Sequence, residues 1–167
     1  MIPNHRQYCP SVPPPTGGQV IRIIDLNAEI GKLPMLEGRR PETSEAERRA
    51  SGAFVNLSPF RDGNIFSAKF SGNAAWERHP NGDELVQIVS GSTTLHIMAA
   101  EGPQSFRLSA GMVAVVPQNT WHRFEAPDGV SLMTATPQPT EQLTVDVADP
   151  RTLTDTKRAG NTEEKWR

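Results

Sequence analysis

The chain has 167 residues, a net charge of −2 and ordinary charged content. That length fits one domain with a sizeable core, and the near-neutral balance excludes the concentrated basic face that nucleic-acid binding needs. The single cysteine, Cys9, excludes an intrachain disulfide and a cysteine-built zinc site. No run approaches the roughly 20 apolar residues of a membrane span, and no basic start leads into an apolar secretory run, so a cytoplasmic location is expected.

Residues 1–19 read as a Pro-rich flexible arm, with Pro3, Pro10, Pro13, Pro14 and Pro15 before Gly17-Gly18. Val20 to Ile24 is β-branched and predicts the first strand. Asp25 to Ser51 is a less apolar excursion. Within it Ser44 and Glu47 have capping-box spacing, which predicts one short helix over 45–50. From Ala53 onward short apolar or alternating runs recur between turn residues. The expected strands are 53–58, 65–71, 74–79, 84–89, 93–99, 105–108, 112–116, 121–125 and 130–136. No helix-length periodic segment interrupts them, so the pattern indicates an all-β sandwich or barrel spanning 20–147. Residues 148–167 read as a polar tail in which Trp166 is isolated.

Two segments carry a recognisable pattern. The first runs from Gly72 through Glu77, His79 and Glu84 to Gly91. The second runs from Gly111 through Pro117 and Asn119 to His122. Together they resemble the two motifs of the cupin superfamily over roughly residues 53–137. The first family motif is a Gly, then His-x-His, a Glu five residues later and a Gly seven beyond. The second is a Gly, five residues, Pro-x-Gly, two residues and a His. Glu77 stands where the family usually has its first His, Asn119 where it usually has Gly, and Ala126 where an Asn often follows. Asn119 is a mild departure, because Asn tolerates the left-handed backbone that Gly would adopt there. The resemblance implies a cupin-type antiparallel β-barrel, a double-stranded β-helix or jelly roll.

Strand alternation points Glu77 and His79 to one face, with Trp76 and Arg78 on the other. The turn Pro80-Asn81-Gly82 returns the chain so that Glu84 re-enters beside His79, and His122 starts a later strand. Glu77, His79, Glu84 and His122 are therefore the candidate metal ligands. Two carboxylates and two neutral imidazoles cancel a dication's charge, and the mixed set suits Fe, Mn, Ni or Zn. Four ligands in an octahedral site would leave two positions for substrate or water. The competing reading of Glu77 pairs it with Arg78, Arg123 or Lys69. If it is not a ligand, it is a candidate general acid or base. Glu84 competes with its neighbour Asp83, one of which could face solvent. His96 reads as a surface or interface residue and His5 as uninvolved. By parity, either Phe66, Ala68 and Phe70 or Ile65, Ser67 and Lys69 line the cavity, with Val86, Ile88 and Phe124.

The expected function is a metal-dependent enzyme acting on a small organic molecule, of dioxygenase or isomerase/lyase type as the resemblance implies. A non-catalytic small-molecule-binding barrel is the alternative, and a storage role ranks third. A Gly-rich phosphate loop and a G-x-S-x-G elbow are both absent. A homodimer is expected, since an open barrel's strand edges need cover.

Overall fold

β-Branched and aromatic side chains alternating with polar ones dictate pleated, half-buried strands. A computed structural model of the chain describes residues 21–153 and the backbone of 157–159. The expected Pro-rich arm lies outside the described residues, and residues 21–24 form no strand. In chain order the elements are α1 (Leu26–Gly31), β1 (Leu36–Arg39), α2 (Glu45–Ala50), β2 (Phe54–Phe60), β3 (Gly63–Asn73) and β4 (Glu77–Arg78). They continue with β5 (Glu84–Ala99), β6 (Gly102–Ser109), β7 (Val113–Val116), β8 (His122–Pro137), β9 (Thr140–Gln142), a 3-10 turn at Pro150–Thr152, and β10 (Lys157–Ala159). The fold is the expected all-β cupin barrel, seen as one strongly curled sheet.

The expected helix over 45–50 is present and has the predicted capping box. Ser44 Oγ accepts from the Glu47 N–H, and the Glu47 carboxylate accepts from the Ser44 N–H. A second helix, α1, was not foreseen. Asp25 caps it by accepting from the Ala28 N–H. Within the segment read as a polar tail, residues 157–159 form β10, which pairs antiparallel with β9.

The largest departure concerns turns. Ser90-Gly91 and residues 126–129 were read as strand-separating turns, yet the chain passes through both inside 16-residue strands, β5 and β8. These strands pair with each other along most of their length, with register shifts between Ile88 and Ser90 and between Gly91 and Thr94. Bulges bend a ladder without ending it, which is how a sheet curls into a barrel. Gly91 is needed at this corner. Its φ is +73°, and a Cβ there would sit 2.3 Å from the Gly129 carbonyl oxygen.

Two clusters form the interior. Phe70, Val86, Ile88, Leu95, Phe124 and Leu132 pack inside the barrel. Trp76, Met98, Trp121 and Leu143 form a second cluster on the other side of β4. Leu143 is fully buried there. Its burial contributes about 2 kcal/mol, which anchors the end of β9 beside β4.

Candidate metal centre

β4 is two residues long, but it sits between β8 and β9. Glu77 stands opposite His122 on one side and Gln142 on the other. Strand alternation does the rest. Glu77 and His79 face the barrel interior, while Trp76 packs in the second cluster and Arg78 lies over the Trp121 ring. The two motif turns are tied together. Asn119, at φ +61°, donates its backbone N–H to the His79 carbonyl at 2.9 Å. The Gln118 N–H donates to Asp83 at 2.7 Å, and the Gln118 side chain donates to the Pro80 carbonyl at 2.6 Å. Asp83 is thus the solvent-side carboxylate, and Glu84 points inward, 3% exposed.

All four predicted ligands converge: one donor atom from each of Glu77, His79, Glu84 and His122 lies within 4.8 Å of every other. Glu84 Oε2 is 3.0 Å from His122 Nε2 and 3.4 Å from His79 Nε2, and Glu77 Oε1 is 3.8 Å from His122 Nε2. Metal–donor bonds of about 2.0–2.2 Å place neighbouring donors roughly 3–4 Å apart, so the cluster fits an ion. His122 Nδ1 donates to the Thr120 carbonyl at 2.9 Å, which fixes the ring with Nε2 toward the cluster. His79 Nδ1 meets the Thr140 hydroxyl at 3.2 Å, whereas its Nε2 is buried without a hydrogen-bond partner. A buried polar atom left in this way costs about 1–3 kcal/mol, and an ion accepted by that nitrogen removes the deficit.

The metal-free electrostatics follow from these contacts. Burial pushes the Glu84 carboxyl up, but the nearby charge of His79 and the hydrogen bond and charge of His122 overcome it and hold the group well below the ordinary carboxylate range. Burial pushes His122 down, yet the hydrogen bond and charge of Glu84, with Glu77 behind them, raise it to about 9. Without an ion, then, His122 is an imidazolium bridging Thr120 and Glu84. The other Glu84 oxygen accepts from Thr136 at 2.6 Å, and the Thr136 hydroxyl meets that of Thr134 at 2.7 Å.

Two of the three alternative partners suggested for Glu77 are engaged elsewhere. Arg78 pairs with Glu141 at 2.7 Å, and Arg123 pairs with Asp146 at 2.8 Å. Besides His122, the cations that act on Glu77 are Arg39 of β1 and Arg48 of α2. Neither was foreseen, and neither carries a sequence signal beyond lying in the polar excursion. His96 is half-buried on the outer face, between Ser105 and Glu125, as parity implied. The cavity beside the cluster is about 140 Å³. Phe66, Ala68 and Phe70 line it as one expected set, and Ser67 joins them from the other.

Residues 68–135 match the family model described as Cupin domain. No curated protein matches the chain. Among solved structures, the chain is similar to a cupin-2 domain containing protein from Shewanella frigidimarina, with 21% identity over 51% of this chain and 79% of that one, at a TM-score of 0.45. It is also similar to a Neisseria meningitidis protein, with 22% identity over 70% of this chain and 100% of that one, at a TM-score of 0.49. A third is hydroquinone 1,2-dioxygenase from a Sphingomonas species with 4-hydroxybenzoate bound, with 17% identity over 52% of this chain and 65% of that one, at a TM-score of 0.44. With the curled sheet, both motifs at their spacing and the family match over the barrel strands, residues 68–135 form a cupin domain.

Proposed function

We propose that this cupin is a metal-dependent enzyme acting on a small organic molecule, with Glu77, His79, Glu84 and His122 holding one divalent ion. The observation that carries the reading is the buried His79 Nε2, which makes no hydrogen bond, among three other donors in a largely apolar cavity. A mixed carboxylate–imidazole set suits Mn, Fe, Ni or Zn. Such an ion polarises a substrate oxygen as a Lewis acid or, if redox-active, supports oxygen chemistry.

The chain's own residues have separable roles. His79 and His122 present Nε2, each oriented by a hydrogen bond on its other nitrogen, to Thr140 and Thr120. Glu84 is oriented by Thr136. Glu77 is the most accessible of the four, its side chain 19% exposed, and it borders the cavity. It is therefore the ligand nearest a substrate or, where it does not bind the ion, the carboxylate best placed to exchange a proton with one. The phenylalanine walls lower the local dielectric, which strengthens each of these interactions.

The test is metal content. Protein purified without added metal, then titrated with Mn, Fe, Ni and Zn, is expected to take up about one ion per chain by elemental analysis. His79→Ala and His122→Ala are expected to abolish uptake while circular dichroism shows the β fold retained. No uptake by the parent protein would overturn the metal assignment. Uptake without turnover of any small molecule that binds would instead favour a non-catalytic binding barrel.

A further inference from the structure

Two arginines line the same cavity as the metal cluster, and both come from outside the matched domain. Arg39 ends β1 and is 7% exposed; Arg48 lies on α2 and is 9% exposed. Buried guanidinium groups are normally held by carboxylates, because an uncompensated buried charge is costly. Among the described residues, no carboxylate lies within salt-bridge distance of either one, although nine ion pairs are formed elsewhere. The Arg39 guanidinium rests on the Phe54 and Phe70 rings, 5.2 and 4.7 Å from their centroids, and its buried Nε has no hydrogen-bond partner. Arg48 gives one N–H to the Gln142 side chain at 3.0 Å. Glu45 also borders the cavity, but its carboxylate pairs with Arg49.

The charges decide what these arginines are for. Glu77 acts on both of them, whereas in the metal-free protein Glu84 is engaged by the His122 imidazolium, so the two guanidiniums are only partly balanced. Once a divalent ion claims both carboxylates, the cavity carries an excess of about two positive charges, counted from two arginines, one dication and two carboxylates with neutral imidazoles. An apolar-walled cavity holding that excess selects an anion. Guanidinium forks match carboxylate geometry.

We propose that Arg39 and Arg48 form a clamp for the carboxylate of a small organic acid, which presents its apolar body to Phe66, Phe70 and Phe124 and a second oxygen to the metal cluster. The part of this that concerns the second oxygen rests on the metal reading above; the clamp itself does not. A cavity of about 140 Å³ matches a single ring or a short branched chain.

The experiment is a calorimetric titration of the full chain, metal-free and zinc-loaded, with benzoate, benzamide, 2-hydroxybenzoate, 2-oxobutyrate and inorganic phosphate. A carboxylate is expected to bind the metal-free protein at least tenfold tighter than benzamide. Loading zinc is expected to tighten 2-hydroxybenzoate or 2-oxobutyrate at least tenfold more than benzoate. Arg39→Met and Arg48→Met are each expected to weaken carboxylate binding at least tenfold while zinc stoichiometry is kept. Arg48→Lys should recover only part of the loss. The parent comparison of benzoate with benzamide guards against misfolding of the Arg39 variant. Carboxylate binding with no zinc uptake would sink the metal reading and leave the clamp. Zinc uptake with no preference for carboxylate over amide, with phosphate preferred, or with no carboxylate bound below 10 mM (about −2.7 kcal/mol) would overturn the clamp.

Discussion

Replacing Thr136 with valine removes one hydroxyl and keeps the side-chain volume. That hydroxyl donates to the buried Glu84 carboxylate at 2.6 Å and is met by the Thr134 hydroxyl at 2.7 Å. Hydrogen bonds to charged groups contribute about 1.5–3 kcal/mol, and the loss is felt in full when the acceptor stays buried. Glu84 does stay buried, 3% exposed, so the metal-free variant should lose about 2–3 kcal/mol. For a chain of this size that corresponds to a fall of roughly 4–12 °C in Tm. The same hydroxyl orients a proposed ligand, and losing such a partner typically costs 10–100-fold in metal affinity. Urea unfolding in the presence of a chelator measures the first effect, and competition with a fluorescent zinc chelator measures the second. Thr136→Ser, which keeps the donor, should restore most of both. A Thr136→Val protein whose unfolding midpoint and zinc affinity both match the parent would refute the assignment of Glu84 as an inward, hydrogen-bonded ligand.

Two further outcomes follow from the geometry. His122 is raised to about 9 in the metal-free protein, above its ordinary value of about 6.5. Its contribution is therefore complete below pH 6.5 and is lost as pH rises toward 9. Glu84 is lowered, so its contribution is complete above its ordinary value and is lost in acid. Metal-free stability should then be greatest near pH 5–6 and fall by at most about 3 kcal/mol by pH 9, while zinc affinity rises over the same range as the imidazole proton is displaced. Chelator-treated denaturation curves at several pH values check this, and stability that climbs between pH 6.5 and 9 would contradict it. Gly72→Ala places a Cβ 2.3 Å from the Arg39 carbonyl oxygen and 2.7 Å from its nitrogen, at φ +94°. It should cost about 2 kcal/mol or more and weaken carboxylate binding along with stability. A fully stable Gly72→Ala protein that binds benzoate like the parent would show that β1 does not need that close approach.

Much of the centre was legible before any coordinates. The fixed spacing of His79, Glu84 and His122 placed them in the two motifs, and the period of a strand put Glu77 beside His79 and turned Trp76 and Arg78 away. The left-handed backbone at Asn119 was also readable, because few residue types adopt it. Glu77 was ambiguous from sequence, since three nearby basic residues offered themselves as partners. The structure shows Arg78 and Arg123 paired with Glu141 and Asp146 instead.

The corners at Gly91 and 126–129 were misread as turns because glycine serves both a reversal and a bulge. Only the continuing ladder between β5 and β8 tells the two apart.

Arg39 and Arg48 lay wholly beyond sequence reasoning. They stand in a polar stretch that by composition looks like surface. They reach the cavity only because β1 runs parallel to β3 and crosses Gly72 at backbone contact, while α2 brings Arg48 to Gln142. The sequence by itself determined most of the barrel strands, the shared face of Glu77 and His79 and the convergence of the four candidate ligands, since these follow from local periodicity and short turns. Tertiary structure alone decided which charges surround them, because burial of these guanidiniums depends on partners outside their own local segments, such as Phe70 for Arg39 and Gln142 for Arg48.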